Sequence, residues 1–292
     1  MYFDNKKNIA FLCGSQHLYG KEVIERVEIN VREIINNINK SSEIPVLIYF
    51  KKVLTSSEDI SKACSELNND ESAQGLLLIV NSPGGTFVNS KEIFDSIKKI
   101  GKKIPTAVYM REMATSGGYL VSLGAEKIFS NQGTITGSIG VILQTADISK
   151  LLKKIGINPV VIKSGELKSV PNPLEKIDEN QIQYVEEIIS LMQKEFLKIL
   201  KDSRNISSEV VNLVSDGRIL TGSQAKKMNL IDEIGSEGDA ILWLRKKADL
   251  DDDVPVIDVS VKGNFLNILN IKSFKNNVNL KFLNGILAIL SN

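Results

Sequence analysis

The sequence predicts an α/β fold in which strands and helices alternate, closing in a more helical C-terminal part. Three observations point there. Leu76–Val80 (LLLIV) is an unbroken apolar run of strand length, as expected of a strand buried on both faces of a parallel sheet. Helical-period runs follow strand-like ones at 21–38, 87–100 and 145–155, the alternation that makes βα crossovers. Small-residue turns stand between these runs: SPGG at 82–85, SGG at 116–118 and TGSIG at 136–140.

Taken in order, Asn8–Cys13 (NIAFLC) reads as a buried strand and GSQHLYG as the turn after it. Val23, Ile24, Val27, Ile34, Ile35 and Ile38 recur at helical spacing. Pro45–Lys51 is a second strand, and Ser56–Leu67 a helix capped by Ser56 or Ser57 ahead of Glu58 and Asp59. After Leu76–Val80, the spacing of Phe87, Val88, Ile93, Phe94, Ile97 and Ile100 predicts a helix, with Asn89 or Ser90 as its cap. Pro105–Met110 is a strand and Ser116 starts a helix. Lys127–Ser130 and Ile139–Leu143 read as strands, Thr145–Ile155 as a helix, and Pro159–Lys163 (PVVIK) as the strand leading to Lys168. Helices are then expected over 178–201, 207–214 and 237–247, with a turn–strand–helix–strand unit over 216–235. Asp251–Asp253 is a solvated acidic turn. Residues 264–292, rich in Asn, Lys, Leu, Ile and Phe, read as a packing or subunit-contact tail, with peripheral membrane contact as the alternative.

Composition excludes several classes. The 292 residues carry 36 Lys and Arg against 35 Asp and Glu, and no basic block stands alone, so no nucleic-acid partner is expected. The two cysteines, Cys13 and Cys64, form neither a disulfide framework nor a zinc knuckle and read as small buried hydrophobes. A single histidine, His17, rules out a multi-histidine metal site and speaks against a Ser–His triad. No signal-peptide core or spanning helix is expected, which leaves the cytoplasm or a peripheral membrane location.

The chemistry-bearing residues sit in the small-residue turns. Glycines after Ser116 let the chain turn sharply, expose the hydroxyl and bring amide N–H groups close to a substrate; the alternative is a common serine helix cap. SPGG is either a tight turn at a strand end or an oxyanion hole built from the N–H of Gly84 or Gly85 with that of Gly117. Lys168, in KSGELKS, serves as a base only where burial favours its neutral form, and a lysine in a solvated loop does not.

Two family resemblances follow. FLCGSQHLYGKEVIERV and FKKVLTSSEDISKACSELNND, over about residues 8–75, resemble the N-terminal segment of L-arabinose isomerase. The resemblance implies a sugar contact for Gln16. That family's metal ligands include two histidines far downstream, which this chain lacks, so isomerase activity is excluded.

LLLIVNSPGGTFVNSKEIFDSI, PTAVYMREMATSGGYLVSLGAEKIFSNQGTITGSIGVI, VIKSGELKSVPNPLEKIDENQ and SDGRILTGSQAKKMNLIDEIG resemble signal peptide peptidase A, a serine–lysine peptidase of the ClpP/crotonase-like fold, over about residues 70–250. The resemblance implies that Ser116 is the nucleophile and Lys168 the general base, then acid. Ser138 orients the lysine amine, and Gly84 or Gly85 with Gly117 forms the oxyanion hole. Asn81 stands where the family usually has aspartate. It further implies hydrophobic peptides and signal peptides as substrates, a homo-oligomeric ring and no cofactor. The expected domains are an isomerase-like segment (1–75), a peptidase core (76–260) and a tail (261–292), joined by fusion between about 56 and 75. With the opening layer altered in this way, a catalytically inactive interaction protein on the same fold is the second reading. A crotonase-like acyl-CoA enzyme is the third, weaker because it gives no reason to pair a serine with a lysine.

Overall fold

The computed structural model describes residues 46–51, 60, 63–65, 67, 73–252, 254 and 256–259. The expected strand at 8–13, the turn with Gln16 and His17, the helix at 21–38, the caps Ser56 and Ser57, and the tail at 264–292 lie outside them. The architecture is α/β, as expected: an eight-stranded sheet with helices on both faces.

The elements are β1 (Val46–Lys51), β2 (Ala73–Ser82), α1 (Phe87–Ile100), β3 (Thr106–Thr115), α2 (Gly117–Ser122), β4 (Lys127–Ser130), β5 (Ile135–Gly137), α3 (Ser149–Lys154), α4 (Glu179–Ser203), α5 (Ser208–Val214), β6 (Ile219–Thr221), α6 (Gly222–Lys227), β7 (Glu233–Ile234), α7 (Glu237–Lys247) and β8 (Val256–Val259). The strand order is β6-β5-β3-β2-β1-β8, with β4 and β7 branching from β3. All pairs are parallel except β5 with β6. The branch arises because β3 pairs through Ala107–Met110 with β4 and through Met113–Thr115 with β5.

The LLLIV run is 0–1% exposed along its whole length because both faces of β2 are covered. Leu76, Leu78 and Val80 belong to a core built with Ile93, Ile97 and Ile100 of α1, Leu120 of α2, and Phe196 and Leu200 of α4. Leu77 and Ile79 face the opposite way, into a smaller core with Phe129, Ala240 and Leu244. Ile60, Ala63, Cys64 and Leu67 are helical and buried in the larger core.

Caps fix several helix starts. Thr86, not Asn89 or Ser90, caps α1: its extended backbone leaves the hydroxyl free to accept from Asn89 N at 3.4 Å. Reciprocal capping boxes start α4 at Asp178 and α7 at Ser236.

Elsewhere the structure departs from expectation. Ile139–Leu143 and Pro159–Lys163 are not strands, and the helix expected over 145–155 shrinks to α3. Their β-branched content suits a ladder, but a strand needs a neighbour to bond, and none pairs with them among the described residues. Ile142, Val160 and Ile162 accordingly stand 80%, 82% and 93% exposed. Strands β5 and β8 were not anticipated. Among the described residues no helix is long and apolar enough to cross a membrane.

Candidate active site

β2, β3 and β5 are parallel, so the turns that follow them leave the same end of the sheet. Those turns carry Gly84 and Gly85, Ser116, and Ser138.

The first turn is tied down by short polar side chains. The register between β2 and β3 slips between Val80 and Ser82, and Asn81 Oδ1 accepts from Met113 N at 3.2 Å across that irregularity. Ser82 Oγ accepts from Gly84 N at 3.1 Å, and Thr115 Oγ1 donates to Pro83 O at 3.0 Å. Gly84 has φ 120°, open to glycine and rarely to other residues. A Cβ there would lie 3.0 Å from Ser116 Cβ and 3.1 Å from Gly117 N, so the turn is seated directly against the serine.

Ser116 has φ 51° and ψ −119°, an uncommon backbone for a residue with a side chain. It precedes the first residue of α2, yet its hydroxyl makes no capping bond, so the cap reading of this serine is not realised. The strain is held by Ser116 N donating to Gly137 O at 2.9 Å and by Leu120 N donating to Ser116 O at 3.0 Å. Gly117, the next residue, is buried so tightly that a Cβ would meet Ser90 Oγ at 2.3 Å and Gly85 N at 3.0 Å. Among the described residues, neither the Gly85 N–H nor the Gly117 N–H has a protein acceptor, whereas the Gly84 N–H is committed to Ser82.

Thr115 pairs with Gly137 in the β3–β5 ladder, which puts Ser116 and Ser138 next to one another at the ends of adjacent strands. Ser138 also has a left-handed backbone, φ 52°, and its N–H donates to Arg218 O at 2.8 Å. Arg218 grips Asp216 through two nitrogens, and these hydrogen bonds hold the Asp216 carboxyl below the usual carboxylate range. Gln193 of α4 donates to Ser215 O at 2.6 Å, anchoring the same loop from behind.

The structure therefore brings together Ser116, Ser138, Gly84, Gly85 and Gly117. Lys168 is different. It is exposed, on a turn where its N–H donates to Gly165 O at 3.0 Å, and among the described residues its ammonium has no hydrogen-bond or ion-pair partner. The other lysine of this stretch, Lys163, is paired with Glu175. Among the described residues no cluster of three or more His, Cys, Asp or Glu could hold a metal ion.

Sequence reasoning missed the supports of the site: the structural use of Asn81, and the roles of Ser82, Ser90, Thr115 and Thr136, whose Oγ1 donates to Ala114 O at 2.8 Å. A signal was present. Small polar residues at the end of an otherwise apolar strand, as in LLLIVNS, mark a place where side chains replace ladder bonds.

The model of peptidase family S49 matches residues 98–251, a span that contains Ser116, Ser138 and Lys168. The chain belongs to peptidase family S49. A second model, the L-arabinose isomerase N-terminal domain, matches residues 4–106, further along the chain than expected and overlapping the S49 match. The chain is 38% identical over 188 residues to a "putative signal peptide peptidase SppA" of Enterococcus faecium, covering 64% of this chain and 55% of that protein. It is 35% identical over 185 residues to a "putative protease" of Methanocaldococcus jannaschii, covering 63% and 60%. The S49 chain thus spans little more than half the length of these relatives. Among solved structures, a mutant ClpP1 of Listeria monocytogenes is similar at a TM-score of 0.45 and 21% identity, covering 72% of this chain and 98% of that one.

Proposed function

We propose that this S49 chain is a serine endopeptidase of signal-peptide-peptidase type, cutting hydrophobic peptide segments through an acyl-enzyme on Ser116. The observation that carries the reading is the backbone of Ser116. A strained serine whose hydroxyl is free of the cap bond, beside two uncommitted N–H groups, suits a nucleophile better than a structural serine.

In the first step the neutral Lys168 amine takes the Ser116 Oγ proton as Oγ attacks the peptide carbonyl. The tetrahedral oxyanion accepts hydrogen bonds from the N–H groups of Gly85 and Gly117. Gly84 is the weaker candidate of the pair, because its N–H is already used by Ser82 Oγ. The C–N bond breaks as the Lys168 ammonium returns its proton to the leaving amine. Water, deprotonated by the same amine, then hydrolyses the ester and frees Ser116. Ser138, beside Ser116, accepts a hydrogen bond from the lysine and aims it.

An exposed amine is a poor base at neutral pH, so this mechanism requires Lys168 to be covered. A second copy of the chain supplies the cover, docking on exposed apolar residues of this part of the chain, among them Ile142, Val160 and Ile162.

The test uses Ser116→Ala, Lys168→Ala and an equimolar mixture of the two, assayed on an apolar peptide with phosphonate labelling of Ser116. Each variant alone is expected to lose hydrolysis. The mixture regains part of it if serine and lysine meet across subunits. Full turnover in Ser116→Ala overturns the reading. The exposure of Lys168 favours the second reading, an inactive oligomeric interaction protein; a wild-type oligomer that neither hydrolyses peptide nor takes the label at Ser116 decides for it.

A further inference from the structure

The buried face of α1 is apolar at Ile93, Phe94, Ile97 and Ile100 but carries one hydroxyl, Ser90. Serine is a weaker helix former than alanine, and a buried hydroxyl must be satisfied. Ser90 is 5% exposed, and its Oγ donates to Thr86 O at 2.9 Å. Its own N–H donates to the same oxygen at 3.1 Å. Both bonds hold the carbonyl of the residue that follows Gly85. On its other side Ser90 Oγ packs on Gly117: a Cβ at Gly117 would meet it at 2.3 Å and Gly85 N at 3.0 Å. One buried oxygen thus touches the segment carrying each of the two uncommitted N–H groups.

Resting on the reading of Ser116 as nucleophile, we infer that Ser90 is a positioning residue for the oxyanion site. It sets the spacing between the Gly85 and Gly117 N–H groups without touching substrate. Donors placed for the tetrahedral oxygen act in the transition state and little on the bound ground state. Loosening their spacing therefore lowers kcat and leaves KM alone.

Ser90→Ala is expected to lower kcat about tenfold and to weaken inhibition by a peptide aldehyde about tenfold, tracking partial loss of one donor. KM for an apolar peptide is expected to stay within about twofold, and inhibition by a non-covalent product peptide to be unchanged. Ser90→Cys, close in volume with a weaker donor, is expected to fall between wild type and Ser90→Ala, and replaces it should the alanine variant fold poorly. An active wild type with unchanged kcat and aldehyde inhibition in the variants overturns this inference alone, as does an equal loss in aldehyde and product-peptide binding. A wild type that neither hydrolyses peptide nor labels at Ser116 overturns the catalytic reading and this inference with it.

Discussion

Gly84→Ala tests how closely the SPGG turn is built against the serine. The new methyl would lie 3.0 Å from Ser116 Cβ, 3.1 Å from Gly117 N and 3.2 Å from Thr115 O. Ordinary contact between such carbons begins near ~3.5 Å, so Ser116 must retreat by about half an ångström or more. Two of the three neighbours are backbone atoms and cannot swing aside. The φ of 120° adds roughly 1–3 kcal/mol of strain for any residue with a side chain. On the proposed reading of Ser116 as nucleophile, misplacing it by about 1 Å costs on the order of 100-fold. The expected result is a fall in kcat/KM of about 30-fold, or ~2 kcal/mol of barrier. A loss of stability of ~2–3 kcal/mol should accompany it, lowering Tm by about 5–10 °C. Peptide hydrolysis and thermal melting measure the two effects. Gly133→Ala is the control, because a Cβ there meets nothing nearer than 3.8 Å and the residue has no positive φ. Gly84→Ala with both activity and Tm indistinguishable from the control would refute the seating of this turn on Ser116.

Two further predictions concern the core. Tyr119 is fully buried and its hydroxyl donates to Leu230 O at 2.8 Å; Tyr119→Phe leaves that carbonyl unmet and should cost about 1–2 kcal/mol, read as a lower denaturant midpoint at constant m. Burial pushes the Cys64 thiol up to about 12 from an ordinary 9.0, so the unfolded chain loses this proton first as pH rises. The stabilisation is complete below pH 9 and drains away between about 9 and 12, by up to ~1.4 kcal/mol per pH unit. Cys64→Ala should flatten that part of the profile relative to wild type, and an identical slope in both would remove the thiol as its cause.

Legibility follows physics that is local in the chain. LLLIV could be read because burial on both faces leaves no polar position in the run. The span Glu237–Lys247 of α7 could be read because Ser236 and Asp239 cap it from within four residues. Strands that need a distant partner were misjudged in both directions. β5 is three residues of TITG that look like a turn until Met113–Thr115 pairs with them. Ile139–Leu143 and Pro159–Lys163 look like strands but have no strand partner among the described residues. The same limit applies at the site. Three small-residue turns, and a family resemblance carried by four motifs in order, pointed to Ser116, Ser138 and Lys168. The bond from Thr115 to Pro83 spans 32 positions, and no pattern along the chain announces it. The exposure of Lys168 depends on what surrounds it after folding, which no pattern along the chain states.

The sheet order explains how an isomerase-like opening can coexist with an S49 core. The 4–106 match takes in β1, β2 and the Ser82–Gly85 turn; β1 pairs with β2 on one side and β8 on the other. Ser116 and Ser138 leave from β3 and β5, on the opposite side of β2. On the side of β2 away from β3, the sheet needs only a strand that pairs with its edge. Backbone bonds meet that need and are indifferent to side-chain identity. Any strand that completes both parallel ladders will serve, and Val46–Lys51 does so. The turn that does bear on Ser116, Ser82–Gly85, lies just past the β1–β2 ladder, which ends at Ile79, and the local bonds of Asn81, Ser82 and Thr115 define it. A different sequence can therefore supply β1 while the geometry at Gly84, Gly85, Ser116 and Gly117 is held by contacts that β1 does not make.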